Sequence, residues 1–221
     1  NSLIKIHLAK AKRDFAKGSA SALHALDCKQ YAERAALLQP QVARVKSMFA
    51  HCQLYLAKFL IRQNKVNDVD IALLDAKTAI EKSLTENSNS AYSYQIKAEL
   101  AMLNLNWQVS LNSDFMDRGL LIEAMKSAEQ SLKINDNAPY SYVLLLRAHL
   151  AKRIFFEGAT SPISESFYEL VTQFKQKFPK DIRVNQIVNG YQNAPVQKPN
   201  LINFSDDYSG YYNSLEQFWH Q

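Results

Sequence analysis

Residues 75–94, DAKTAIEKSLTENSNSAYSY, return 48 residues later as residues 123–142, EAMKSAEQSLKINDNAPYSY. Ala76 falls on Ala124, Glu81 on Glu129, Ser83 and Leu84 on Ser131 and Leu132, Asn87 and Asn89 on Asn135 and Asn137, and Ser93-Tyr94 on Ser141-Tyr142. A recurrence of this length marks stacked supersecondary units, each of which buries its apolar face only against its neighbours. The spacing therefore predicts a helical-repeat architecture and organises the rest of the chain.

Working outward, the apolar residues Ile4, Leu8, Ala11 and Phe15 lie on one helical face, and Gly18-Ser19 ends that helix. A second helix, about residues 22–38, stops at Gln39-Pro40, because proline lacks a backbone donor and restricts the residue before it. A third runs over about residues 42–64. Asn67 and Asp68 are candidate N-caps for a fourth that reaches Glu86. Residues 91–110, 116–134 and 139–156 follow as helices five to seven, the last with Pro139 at its first position. Ser161 and Pro162 are read as opening an eighth, whose stripe is Phe167, Leu170, Val171, Phe174 and Phe178, and residues 182–191 form a ninth. Breaks at Pro40, Ser88, Asp136 and Pro179 recur at 48, 48 and 43 residues. They divide residues 1–191 into helix pairs at about 1–40, 41–88, 89–136 and 137–179 plus one extra helix, with a separate tail at 192–221.

Composition agrees with an all-α fold. Five Gly and six Pro in 221 residues are too few for a turn-rich β protein, and no strand alternation is visible. The longest aliphatic run, Val143 to Leu146, is far short of the roughly 20 apolar residues a spanning helix needs. No signal-peptide pattern opens the chain, and a start at Asn1 reads as a fragment of a longer protein; a cytoplasmic location is expected. The +5 net charge is uneven: residues 1–65 carry twelve Lys or Arg against three acids, hence +9, which leaves −4 for the remainder. That bias allows a nucleic-acid partner, but on the first helix Lys5, Lys10, Lys12, Arg13 and Lys17 spread around everything except the apolar stripe, as on a solvated face.

The motif A-x-x-A-x-E-x-S-L-x-x-N at residues 76–87, with its exit turn and Tyr94, resembles the second helix of a tetratricopeptide repeat. Ala76 and Ala124 match the family's first small position, Ala35, Ser83 and Ser131 its second, and Pro40 and Pro179 its proline. Ser88 and Asp136 depart from that proline, and the first-helix small residue, Ala50 and Ala98, becomes Leu146 in the fourth pair. The period of 48 also exceeds the family's, which is about 34. Long first helices ending in stretches such as Leu105-Asn106-Trp107-Gln108 are similar to repeats that follow the catalytic domain in bacterial Ser/Thr kinase-like signalling proteins. The resemblance implies a non-catalytic scaffold, an α-α superhelix of about four helix pairs with a C-terminal cap or tail, that binds a protein or peptide partner on its concave face. It also implies that positions two, five and nine of each first helix do the binding: Arg44, Ser47 and His51; Tyr92, Gln95 and Glu99; Tyr140, Val143 and Arg147. An ordinary solvated helix face is the competing reading. Two further alternatives are a regulatory extension of an upstream kinase-like enzyme and nucleic-acid binding by the basic N-terminal half.

No phosphate-binding Gly-rich loop, His-Glu-x-x-His or nucleophile elbow is present, so no enzyme chemistry and no cofactor are expected. His24, Cys28, His51 and Cys52 invite a zinc reading, since the two cysteines lie twelve residues either side of Pro40 and share a height in an antiparallel hairpin. Their register partners are apolar or small residues, Ala76 and Ala124 for Cys28, Leu100 and Ala148 for Cys52. Packing as free thiols, with no metal, is therefore expected, in a reducing compartment. Phe59, Trp107 and Phe155 share one register position and are expected in the core. Asp206-Asp207 reads as a solvated turn. In the tail, Phe204, Tyr208, Tyr211, Tyr212, Phe218 and Trp219 either dock as a cap, the favoured reading, or await a partner.

Overall fold

A computed structural model of the chain describes residues 2–111, 117–157, 162 and 164–192. The aromatic tail and its capping role lie outside the described residues, as does Ser161. The described chain is all-α: α1 (Ser2–Ala16), α2 (Leu23–Leu38), α3 (Ala43–Arg62), α4 (Val66–Glu86), α5 (Ala91–Ser110), α6 (Arg118–Ile134), α7 (Pro139–Lys152), α8 (Glu165–Lys177) and α9 (Arg183–Gln192). A π-helical turn, Arg153–Glu157, extends α7. Its wider winding sets residues five apart on one side, where Lys152 and Glu157 pair at 2.6 Å.

Helices adjacent in sequence pack as antiparallel pairs, and α3 with α4 make the most extensive one. Each odd-numbered helix also contacts the next, from α1 through α3, α5 and α7 to α9, whereas the even-numbered helices make no comparable contact with one another. The odd helices thus form a continuous inner row and the even ones a spaced outer row. The core follows this arrangement, one apolar cluster filling α1–α5 and a second filling α5–α9. Phe59, Trp107 and Phe155 are all buried in it as their register requires. Trp107 also donates its indole N–H to Asp70 at 2.9 Å, so its one polar atom is satisfied.

The 48-residue recurrence is reproduced bond by bond. Ser83 on α4 donates its hydroxyl to the Ala43 carbonyl at 2.8 Å, and Ser131 on α6 donates to the Ala91 carbonyl at 2.9 Å. The same two serines meet Ser93 and Ser141 at 3.3 and 2.8 Å. A small hydroxyl here lets the outer helix approach the start of two inner helices and satisfies a carbonyl buried by that approach. At the exit turns, Asn87 and Asn135 each accept from the backbone N–H two residues on, at 3.0 and 3.1 Å.

Several ends differ in detail from the sequence expectation. Gly18 ends α1 in the left-handed region at φ 76°, where a residue without Cβ is unstrained. Asn64 adopts φ 55° between α3 and α4, which asparagine tolerates better than most residues. Asn67 and Asp68 are not caps: α4 starts at Val66, before them, with no side-chain cap. Asp117 is the N-cap of α6, accepting from the Gly119 N–H at 2.7 Å. α8 begins at Glu165 after Ser164, three residues beyond Pro162.

Cys28 and Cys52 are both buried, but they are not free thiols. They form a disulfide between α2 and α3, with Cα atoms 5.5 Å apart. The shared height predicted from Pro40 brings them together, and the bond removes both from any zinc site. Because disulfides are typical of oxidising compartments, the two cysteines no longer support a reducing one. Among the described residues no helix is long and apolar enough to cross a membrane.

Candidate functional site

The nine residues expected to line a docking face lie on the inner helices α3, α5 and α7, but they are not equally accessible. Arg44, at the start of α3, is exposed, and Tyr92, Gln95 and Tyr140 are half-buried. Ser47, His51, Glu99, Val143 and Arg147 are buried. Access falls from position two to position nine along each helix. The buried end is polar because position nine carries His51, Glu99 and Arg147 at successive 48-residue steps.

Ser47 is held by Ser83 and Ser93 at 2.6 and 2.7 Å. His51 Nδ1 and the Tyr92 hydroxyl lie 2.8 Å apart. Glu99 accepts a hydrogen bond from Lys58 Nζ at 2.7 Å, with both side chains at most 2% exposed. The Lys58 ammonium also lies over the Tyr55 ring, 4.3 Å from its centroid, and Lys12 of α1 approaches the same ring at 5.5 Å. Lys58, Tyr55 and Lys12 were missed as members of this cluster. One signal was available: Lys58 is the single charge in the apolar stretch LYLAKFLI, residues 54–61.

The electrostatics follow from burial. Burial would raise Glu99, but the Lys58 ammonium, with smaller effects from His51 and Lys12, holds its carboxyl at about 2, so it is ionised at neutral pH. Burial, helped by Lys12, pushes His51 down to about 3 and leaves it a neutral imidazole. Burial and then Glu99 raise the Tyr55, Tyr92 and Tyr140 hydroxyls, which remain protonated donors.

His51 gives a pH signature. A histidine near its usual value of about 6.5 when unfolded and near 3 when folded is protonated first in the unfolded chain as pH falls. Stability is therefore lost on acidification between those two values, with a slope of about 1.4 kcal/mol per pH unit in mid-window. Urea unfolding of the wild type and His51→Gln at pH 6, 5 and 4 should show that slope flattened in the variant. Parallel pH profiles would mean His51 is not held neutral.

The zinc quartet read from the sequence is not assembled. Cys28 and Cys52 are bonded to each other, and His51 faces Tyr92. His24 instead meets His7 and Asp27. What the fold and the site define is an all-α, helical-repeat-like protein with a buried ion pair under a partly open inner face. Compared with known proteins, the chain matches no family model, and no curated protein matches it significantly.

Proposed function

We propose that the chain is a non-catalytic interaction module, a tetratricopeptide-like superhelix that binds a peptide or protein segment on the inner face of its odd helices. The observation that carries this reading is the layering: α1, α3, α5, α7 and α9 contact one another in a continuous row, while the even helices stand apart. Such a row gives one elongated face with Arg44, Tyr92, Gln95 and Tyr140 as its accessible polar and aromatic groups. Arginine and tyrosine are the residue types that dominate interface energetics. Beneath them, the Lys58–Glu99 pair and the serine cluster fix the helices that carry the anchors, so little ordering is left to be done on binding. The module belongs, on this reading, to a larger bacterial signalling protein.

The anchors call for different substitutions. Tyr92 contacts buried His51, so truncating it disturbs the fold, whereas Arg44 is exposed and can be changed without that effect. A peptide selected from a random display library against the full chain should lose about tenfold or more in affinity with Arg44→Glu or Gln95→Ala. Helicity should remain as in the wild type. Undiminished affinity in both variants would rule out the inner face. Binding of duplex DNA that weakens steeply with salt would instead favour the basic N-terminal half.

A further inference from the structure

His7 on α1 and His24 and Asp27 on α2 bring one ligand atom each to within 4.8 Å of one another. His7 Nδ1 is 3.2 Å and His24 Nδ1 3.6 Å from the same oxygen, Asp27 Oδ2. Neither nitrogen makes a hydrogen bond, and both are shielded from solvent. Two imidazole nitrogens gathered round one carboxylate oxygen without bonding to it call for a shared third partner. The spacing fits such a partner, because bonds of about 2.0–2.2 Å in a tetrahedron place adjacent ligand atoms roughly 3.4 Å apart.

A supporting group is present as well. His24 Nε2 lies 3.8 Å from Asp14 Oδ2, on the opposite side of the ring from Asp27. At that distance there is no direct hydrogen bond, but the nearby carboxylate favours the tautomer with the proton on Nε2, leaving Nδ1 for a metal. Asp27 offsets part of the charge of a divalent ion, while Asp14 also pairs with Arg13 at 3.4 Å. The side chains of His7, His24 and Asp27 are 15%, 25% and 32% exposed, so the pocket is neither sealed nor fully open and an ion has a way in.

We propose that His7, His24 and Asp27 bind a divalent transition-metal ion of the zinc class, through His7 Nδ1, His24 Nδ1 and an Asp27 carboxylate oxygen, with one position left to water. Two imidazoles and one carboxylate suit borderline ions such as Zn2+ better than oxygen-seeking Ca2+ or Mg2+. This departs from the expectation of no metal, and it uses only one residue of the quartet the sequence suggested. Its consequence is mechanical. α1 packs against α2 and α3. The metal ties α1 to α2, and the adjacent Cys28–Cys52 bond ties α2 to α3. The first three helices are thus clamped in series.

The test uses the full chain, stripped with chelator and titrated with Zn2+ by calorimetry and thermal melting. Binding of one equivalent is expected, with a rise in melting temperature of about 5 °C or more at a hundredfold excess over Kd. His7→Gln and His24→Gln should each abolish both effects while retaining wild-type helicity without metal. Asp14→Asn should weaken binding about tenfold to a hundredfold. A Cys28→Ala, Cys52→Ala double variant should bind Zn2+ as the wild type does, and Co2+ bound to either protein should show no thiolate charge-transfer band. Failure of the wild type to bind, equal binding by both histidine variants, or loss of binding in the cysteine variant would each overturn the proposal.

Discussion

Glu99→Ala should lower the unfolding free energy by about 3–5 kcal/mol, the range for removing one member of a buried ion pair. The size follows from what stays behind. Lys58 is 3% exposed, and without Glu99 its ammonium loses the carboxylate 2.7 Å away while remaining buried near the cations Lys12, Arg62 and Arg147. The Tyr55 face at 4.3 Å offsets part of this, since a desolvated cation over an aromatic ring is worth about 2 kcal/mol. Glu99→Gln, which keeps an acceptor but removes the charge, should fall between wild type and alanine. The double variant Lys58→Met, Glu99→Leu should recover most of the loss, because similar-sized apolar groups replace both charges. Urea denaturation at neutral pH measures all four. A loss below about 1 kcal/mol in Glu99→Ala would place the pair among solvated surface pairs instead. Acid provides a second check. With a folded value of about 2 against about 4.3 unfolded, the Glu99 contribution is present above the unfolded value and disappears as pH falls through the folded one.

Opening the Cys28–Cys52 disulfide should cost about 3.5 kcal/mol, by the chain-entropy relation for the 25-residue loop that it closes. The loop length follows from the sequence separation of 24. The double variant Cys28→Ala, Cys52→Ala should melt about 10 °C lower at this chain length. Both sulfur atoms are fully buried, so small apolar replacements limit the effect largely to the lost crosslink and a modest cavity. Mass spectrometry of the native protein after unfolding in alkylating reagent should show no modified thiol. Two alkylated cysteines, or a melting temperature unchanged in the variant, would show that the chain keeps both as thiols.

Much of the fold was legible because its causes are local. Gly18, Gln39-Pro40 and Pro139 act on the backbone within a few residues of themselves, so the helix ends they set are found close to where they were expected. Ser83 and Ser131 were recognisable as small packing positions, and the structure adds the carbonyls they hold. Asn67 and Asp68 misled because a good cap is only useful where a helix begins, and α4 begins one residue before Asn67. The candidate site was legible in register and not in exposure. Position two and position nine of the inner helices were read as one face, but a neighbouring helix row covers the second far more than the first.

The sequence by itself determined the all-α class, the 48-residue register and the core positions of Phe59, Trp107 and Phe155, since period and punctuation are written in consecutive residues. It also placed Cys28 level with Cys52 across the Pro40 turn, but its register pointed to free thiols. Only the tertiary structure decided that bond, the partnership of Lys58 with Glu99 across 41 residues, and the meeting of His7 with His24 and Asp27. These depend on how far each helix rolls and how closely it approaches a neighbour from another part of the chain. A side-chain pattern specifies which face is apolar to within a turn, but a hydrogen bond or a disulfide is made or lost over about an ångström.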